Sequence, residues 1–255
     1  MKRTAPLQSI SAVEPTPQPA PFPYQDYQKA KSDLERALLK GPFWGVVVGA
    51  SGTGKTSLVR DLSASLDRQK HQVLYLSSPR VSLLSVTRYF AQVLRVTPRR
   101  SSLETIQVIA EFLERQPAHL LAWIDEAAGL PQDTLSELRT LAEFHHELPQ
   151  IFSVVLSGTP ELKTTIDALF PLKRRITVHH VLSGLRRDEL DAFLVHRFGA
   201  ADPKRFPHGL RDELFERARA IPALLDRVTR DALERAHKGP VTDEHLREAL
   251  DAAGI

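Results

Sequence analysis

Residues 49–56 read Gly-Ala-Ser-Gly-Thr-Gly-Lys-Thr. This octapeptide fits the pattern G-x-x-x-x-G-K-[ST], with Gly49, Gly54, Lys55 and Thr56 in the fixed positions. Upstream, WGVVVGA (44–50) is a short β-branched run ending in glycine, which suits a strand buried on both faces of a parallel sheet. Downstream, SLVRDLSASLDRQ (57–69) has helical periodicity. A strand therefore feeds the loop and a helix leaves it. In that context the backbone N–H groups of the loop converge on phosphate oxygens, and the helix N-terminus adds its partial positive charge. The binding residues expected from this pattern are Gly49, Ala50, Ser51, Gly52, Thr53, Gly54, Lys55, Thr56 and Ser57. Lys55 neutralises β- and γ-phosphate charge and Thr56 gives its hydroxyl to Mg²⁺, so ATP and Mg²⁺ are the implied cofactors.

Further along the chain the βα alternation continues. VLYLSS (73–78), LLAWID (120–125), IFSVVLSG (151–158) and ITVHHVL (176–182) read as strands. Between them VSLLSVTRYFAQVLRV (81–96) reads as a helix ending before Pro98. SLETIQVIAEFLERQ (102–116), PQDTLSELRTLAEFHHE (131–147) and ELKTTIDALF (161–170) read as helices too. The pattern predicts an α/β fold, a parallel sheet with helices on both faces and ligands at the carboxyl edge of the strands. On the N-terminal side, YQDYQKAKSDLERALLKG (24–41) looks helical, with Leu34, Leu38 and Leu39 on one face and Gly41 as a stop. Before it, Pro15, Pro17, Pro19, Pro21 and Pro23 recur at every second position, which excludes a helix and predicts a disordered tail. From residue 183 the strand signals stop and helical segments follow, the last capped by Thr242 to His245 and ending near Gly254. The expected organisation is a Pro-rich tail over 1–24, a nucleotide-binding α/β domain over 25–182 and a small helical lid domain over 183–255.

The second chemical signal is LLAWIDEA (120–127), where Asp125 emerges at the end of a hydrophobic strand. There it can hold the water shell of a magnesium ion, and Glu126 follows in place to polarise an attacking water. Nothing marks an acceptor site for a transferred phosphate. A carboxylate next to the metal-binding Asp favours water as acceptor, so the expected reaction is ATP hydrolysis.

Composition narrows the setting. The 255 residues contain no cysteine, which excludes a disulfide framework and a thiolate metal site. No stretch of about 18 apolar residues exists, and the N-terminus lacks the apolar segment of a signal peptide, so a cytoplasmic protein away from the membrane is expected. The net charge is only +3, but its distribution is uneven. Between Asp67 and Glu104 there is no acidic residue, while Arg68, Lys70, Arg80, Arg88, Arg95, Arg99 and Arg100 all fall there. That span suits a polyanion or, equally, a solvated basic helix face. His145, His146, His179 and His180 lack metal-ligand spacing and read as surface or packing residues. Trp44 and Tyr27 are candidates for an adenine contact, with core packing the commoner role for such aromatics.

With the loop, the Asp-Glu strand, VVLSGTPEL (154–162) and LKRRITVHHVLSGL (172–185) in hand, the chain resembles the AAA+ ATPases. More narrowly it looks like the group containing ExeA-type ATPases and the transposition regulators TnsC, TniB and MuB. The resemblance implies a P-loop AAA+ sheet followed by a helical lid. It implies a polar sensor at the end of the fourth strand, Thr159 or alternatively Ser157. It also implies an arginine before the fifth strand, Arg174 or Arg175, that reaches a neighbouring copy's nucleotide. One departure is plain. Where ExeA-type relatives carry Gly-Ile-Pro-Arg in the lid, this chain reads Ala220, Ile221, Pro222, Ala223. The lid arginine is absent, with Arg227 or Arg219 as possible substitutes.

Because an arginine supplied in trans completes such sites, the resemblance implies self-association into a ring or filament. The first functional expectation is a regulator of transposition whose ATP-bound oligomer coats duplex DNA through phosphate contacts and recruits or activates a transposase, with hydrolysis controlling disassembly. Arg80 and Arg88 are the DNA-contact candidates. The alternatives are an ExeA-like accessory ATPase of protein secretion, and a nucleotide-gated scaffold with little turnover. Secretion accessories carry a membrane helix and a peptidoglycan-binding region after the ATPase module, neither of which appears before Ile255, so the DNA reading ranks first.

Overall fold

The computed structural model describes residues 20–67, 69–77, 81–115, 119–138 and 152–255. Pro15, Pro17 and Pro19 of the tail, Arg68, Arg80, and the later part of the helix expected over 131–147, with His145 and His146, lie outside the described residues.

Five strands form one sheet in the order β2-β3-β4-β1-β5: β1 Trp44–Gly49, β2 His71–Ser77, β3 His119–Asp125, β4 Phe152–Gly158 and β5 Ile176–Leu182. The sheet is parallel, as the alternation predicts, and β1, β3 and β4 are buried almost without interruption because both of their faces are covered. The edge strand β5 instead alternates buried and exposed positions. Flanking helices are α1 Gln25–Lys40, α2 Lys55–Ser65, α3 Leu83–Val93, α4 Ser102–Glu114, α5 Gln132–Leu138, α6 Glu161–Ala168 and α7 Phe170–Lys173. C-terminal to the sheet come α8 Leu190–Phe198, α9 His208–Arg217, α10 Pro222–Arg235 and α11 Asp243–Ala253.

Parallel register sets what meets at the carboxyl edge. Ser77 aligns with Asp125, Ile124 with Leu156, Val47 with Ser157 and Val48 with Gly158, so the polar strand ends arrive together. Beneath them Trp44, Val46, Leu74, Leu76, Leu120, Ile124, Val154 and Leu156 pack with Val86, Phe90, Ile106, Ile109 and Leu113 of the helices. Burial of this kind, at about 25 cal/mol per Å² of apolar surface, is what holds the sheet to its helices.

Several boundaries differ from the sequence reading for identifiable reasons. β2 begins at His71, because the in-register partner His119 extends the ladder past the apolar run. α3 stops at Val93, ended by Arg95 in the left-handed region at φ 58, with the Val96 amide donating to the Ala91 carbonyl. The short helix expected over 161–170 breaks at Leu169 into α6 and α7. On α1, Ala30, Leu34 and Leu38 repeat at i, i+4, i+8 and are buried, whereas Leu39, one step round the helix, is 82% exposed. α11 starts with Thr242 accepting from the His245 amide and ends at Gly254 with φ 76, as its signals indicate.

The chain divides into two compact units. The first holds Ala30–Val48 and Thr56–His180, and therefore most of the sheet. The second groups the described residues up to Lys29 with Gly49–Lys55 and Val181–Ile255. Among the described residues no helix is long and apolar enough to cross a membrane.

Candidate functional site

Within the second unit, the loop 49–55 is held by its carbonyl groups. Thr53 Oγ1 donates to the Ala50 carbonyl at 2.9 Å, and Lys55 Nζ donates to the carbonyls of Gly49 and Ala50 at 2.7 and 3.0 Å. Tyr24 Oη donates to the Thr53 carbonyl at 2.8 Å, and the Ala223 amide donates to the Gly52 carbonyl at 3.2 Å. In a trans peptide the next N–H points opposite to the carbonyl, and no cis bond occurs among the described residues. The amides of Ala50, Ser51 and Gly54 therefore point away from the donors on the carbonyls of Gly49, Ala50 and Thr53, while the Thr53 amide donates to the Ala50 carbonyl at 3.3 Å.

Two glycines of the loop are irreplaceable for space. A Cβ on Gly49 would stand 2.6 Å from Thr53 Oγ1 and 2.7 Å from the Leu182 carbonyl. One on Gly52, already at φ 86, would stand 2.9 Å from the Ala223 Cβ. Residue 223, where the ExeA-type pattern has arginine, thus sits directly on the loop as alanine. Of the two possible substitutes, Arg227 donates to the Ala252 carbonyl, and Arg219 is exposed with its backbone left-handed at φ 52. Tyr24 and Tyr27 are each 2% exposed and pack together, the Tyr27 ring lying against Gly54. Burial, reinforced by Asp26 and Glu189, pushes the Tyr24 phenol up, so it stays a donor to the loop.

Within the first unit the carboxyl edge gathers donors on one carboxylate. Asp125 is 3% exposed. Its Oδ2 accepts from Thr56 Oγ1 at 2.9 Å and from Tyr75 Oη at 2.7 Å. Its Oδ1 accepts from Ser157 Oγ at 2.6 Å and from the Glu126 amide at 2.9 Å. Trp123 Nε1 in turn donates to Ser157 Oγ at 2.8 Å, which leaves the serine proton for Asp125. Burial and the Asp125 charge both push the Tyr75 phenol up. Glu126 is exposed and left-handed, φ 54 and ψ 30, at the start of a short 3-10 turn over Ala127–Gly129. A Cβ on Gly158 would stand 3.2 Å from the Leu162 Cδ2, tighter than ordinary packing.

The structure thus brings Thr56, Asp125 and Ser157 together and leaves Thr159 exposed beyond β4, where its hydroxyl holds the Glu161 carboxyl below the usual range. Ser57 follows Thr56 on the first turn of α2. Arg174 is exposed at the end of α7 with its guanidinium 5.7 Å from the Phe170 ring, and Arg175 is half-buried. Nearby, Lys163 and Lys173 draw Asp167 down to about 2. Arg88 is exposed on α3, and Arg95, Arg99 and Arg100 are exposed after it. Among the described residues these four have no ion-pair partner, while Lys70 stands 3.9 Å from Asp67. Trp44, like Tyr27, is core at 2% exposure. His180 faces Asp33 at 3.5 Å, and His179 is exposed with its ring meeting the Ile176 carbonyl.

Sequence reasoning missed Tyr75, Trp123 and Tyr24. Each is a buried aromatic with a polar atom that must find a partner, and Tyr75 and Trp123 stand near the ends of predicted strands. That combination was the available signal.

Residues 40–166 match the family model described as an AAA domain. No curated protein matches the chain. Among solved structures, Cdc6p from Pyrobaculum aerophilum is similar over 96% of this chain and 71% of its own, with a TM-score of 0.69 at 17% identity. The Aeropyrum pernix ORC1 protein, solved in complex with DNA, is similar over 89% of this chain and 64% of its own, with a TM-score of 0.59 at 19% identity. A variant of Thermotoga maritima RuvB is similar over 88% and 67%, with a TM-score of 0.56 at 18% identity. The chain therefore has the P-loop AAA+ fold, a five-stranded parallel sheet with flanking helices, and these similarities are of fold.

Proposed function

We propose that this chain is an ATPase that assembles on duplex DNA, in the manner of the TnsC, TniB and MuB regulators, and recruits or activates a transposase, with hydrolysis timing its release. The observation that carries the reading is the 2.9 Å bond between Thr56 Oγ1 and Asp125 Oδ2, which joins the hydroxyl of the phosphate-loop motif to the acidic strand end.

The residues fit Mg²⁺·ATP. The Thr56 hydroxyl is a hard oxygen of the kind magnesium takes alongside substrate phosphates and water, with the Asp125 carboxylate hydrogen-bonded behind it. Among the described residues no cluster of three or more acidic, histidine or cysteine side chains competes as an all-protein metal cage. When bound, the ion neutralises charge on the β- and γ-phosphates. In this reading Lys55 releases its carbonyl partners to meet phosphate, the amides of Ala50, Ser51 and Gly54 line the cradle, and Asp125 orients Thr56. Glu126 takes the proton of the attacking water, and its left-handed backbone turns the side chain out of the strand line. Thr159 is the candidate for a direct γ-phosphate contact, since the Ser157 hydroxyl is committed to Asp125. Arg174 or Arg175 acts on a neighbouring copy, which makes a ring or filament the active form.

The DNA half rests on the exposed guanidiniums of Arg88, Arg95, Arg99 and Arg100, which have no ion-pair partner among the described residues, together with a fold shared with an ORC1 protein solved on DNA. The nucleotide-gated scaffold is favoured by one observation, that alanine rather than arginine meets the loop at residue 223.

ATP turnover by the purified chain, with and without duplex DNA at low salt, tests the reading. DNA-stimulated turnover, or ATP-dependent filaments in negative stain, is expected. No DNA effect on either would remove the DNA half. Turnover abolished by Glu126→Gln, with ATP binding retained, separates the ATPase from the scaffold.

A further inference from the structure

The Asp125 carboxylate is a saturated acceptor. Two carboxylate oxygens offer about four lone-pair sites, and all are taken: Thr56 and Tyr75 on Oδ2, Ser157 and the Glu126 amide on Oδ1. A carboxylate so engaged has no lone pair left to coordinate a cation directly. Its charge acts at one remove, by drawing on the Thr56 proton and so making the Thr56 oxygen a better ligand. Which lone pair meets Thr56 depends on how the carboxylate is turned, and that is set by its other donors.

Tyr75 shares Oδ2 with Thr56 and is placed by the ladder rather than by a loop. It stands in register with Trp123, two residues before Asp125, and is 7% exposed. Its backbone is held as well, because Tyr89 Oη donates to the Tyr75 carbonyl at 3.0 Å. On the other oxygen, the Trp123 indole fixes the Ser157 hydroxyl, and the Ser157 proton fixes Oδ1. The carboxylate is thus pinned from both sides by side chains that the phosphate-loop motif does not include.

We propose that Tyr75 is a positioning residue for magnesium: its phenol orients Asp125 so that Oδ2 serves Thr56 and Asp125 stays out of the ion's direct coordination. Ser157, backed by Trp123, performs the same task at Oδ1. This inference rests on the reading of Thr56 and Asp125 as a Mg²⁺·ATP site.

The test is calorimetric titration of the full chain with ATP, in EDTA and at graded Mg²⁺, for the wild type, Tyr75→Phe and Ser157→Ala. Tyr75→Phe keeps the ring and removes only the donor. It is expected to raise the Mg²⁺ concentration needed for half-maximal enhancement of ATP binding by about tenfold, at the lower end of what loss of an outer-shell partner does to metal sites. ATP affinity in EDTA should stay within about twofold, a smaller change than any outer-shell loss brings. Ser157→Ala should shift the Mg²⁺ midpoint in the same direction, and it carries the test if Tyr75→Phe does not fold. A midpoint that is unchanged or lowered overturns the proposal, as does a parallel loss of affinity with and without the ion. If the wild type itself binds no ATP at any Mg²⁺ concentration, the nucleotide reading fails instead, so the two failures are distinct.

Discussion

The two ends of the β2–β3 ladder are built from the same register and do opposite things with polar side chains. At the carboxyl end, Tyr75 Oη from β2 and the hydroxyls of Thr56 and Ser157 converge on Asp125, so one buried charge has a donor for every lone pair. At the amino end, His71 pairs with His119, the rings 6.2 Å apart and edge-on. His119 Nε2 meets Ser153 Oγ at 2.9 Å, yet His71 Nδ1 is buried with no hydrogen-bond partner among the described residues. One end is organised to keep a charge and the other to refuse one. Burial, with His71 second, depresses the His119 pKa, whereas every hydrogen bond described at the Asp125 carboxylate comes from a donor. Polar residues at strand ends are thus not equivalent, and the convergence of donors marks the end that does chemistry.

Removing the charge should hurt most. Asp125→Ala leaves three hydroxyls and one amide without their acceptor in a buried site, and each unsatisfied buried donor costs roughly 1–3 kcal/mol. Relaxation recovers part of this, so a loss of about 3 kcal/mol in urea unfolding is expected, together with loss of Mg²⁺-dependent ATP binding. A loss below about 1 kcal/mol would mean that the donors find water easily, and the contrast between the two ends would disappear.

That contrast also separates what the sequence shows from what it hides. WGVVVG, LLAWID and FSVVLSG announce buried strands because each is built on a run of apolar residues, and the loop motif places Gly49, Lys55 and Thr56 by spacing alone. The relay from Trp123 through Ser157 to Asp125 was not legible, since periodicity shows that strands exist but not the register in which three parallel strands align. Turns were hidden where they break the usual chemistry. Arg95, Arg219 and Ala220 all adopt positive φ, where glycine or asparagine would have signalled the bend. The seat of Ala223 on Gly52 joins residues far apart in sequence, and nothing local to either records it.

At the amino end the expected effect is smaller and depends on pH. A depressed imidazole pKa means that the unfolded chain accepts a proton which the folded chain resists. The stabilisation is therefore fully present above the ordinary value of 6.5 and is lost as pH falls below it. The urea midpoint should drop between about pH 7.5 and pH 5.5, the range in which histidines titrate. The drop should be shallower in His71→Phe, which removes the neighbouring imidazole and the unpartnered nitrogen together, and shallowest in His119→Phe. An unaltered slope in both variants would assign the pH dependence to other groups and deny the amino end its part in the comparison.

The smallest expected effect sharpens the contrast most, because it separates function from stability at one residue. Glu126 directly follows Asp125 and holds φ 54, a left-handed conformation that costs an L-residue about 1–2 kcal/mol and glycine almost nothing. Glycine also gives up more chain entropy on folding, by roughly 0.5–1 kcal/mol. The difference leaves Glu126→Gly about 0.5 kcal/mol more stable than the wild type. The same substitution deletes the carboxylate proposed to take the proton of water, so turnover should vanish while the Glu126 amide, and with it the bond to Asp125 Oδ1, remains. Thermal unfolding and ATP hydrolysis measured on one preparation test both halves. A variant that is stabilised and inactive fits strain held in place for chemistry, whereas one that is destabilised would show that the side chain supports the turn and that the strain has no functional counterpart.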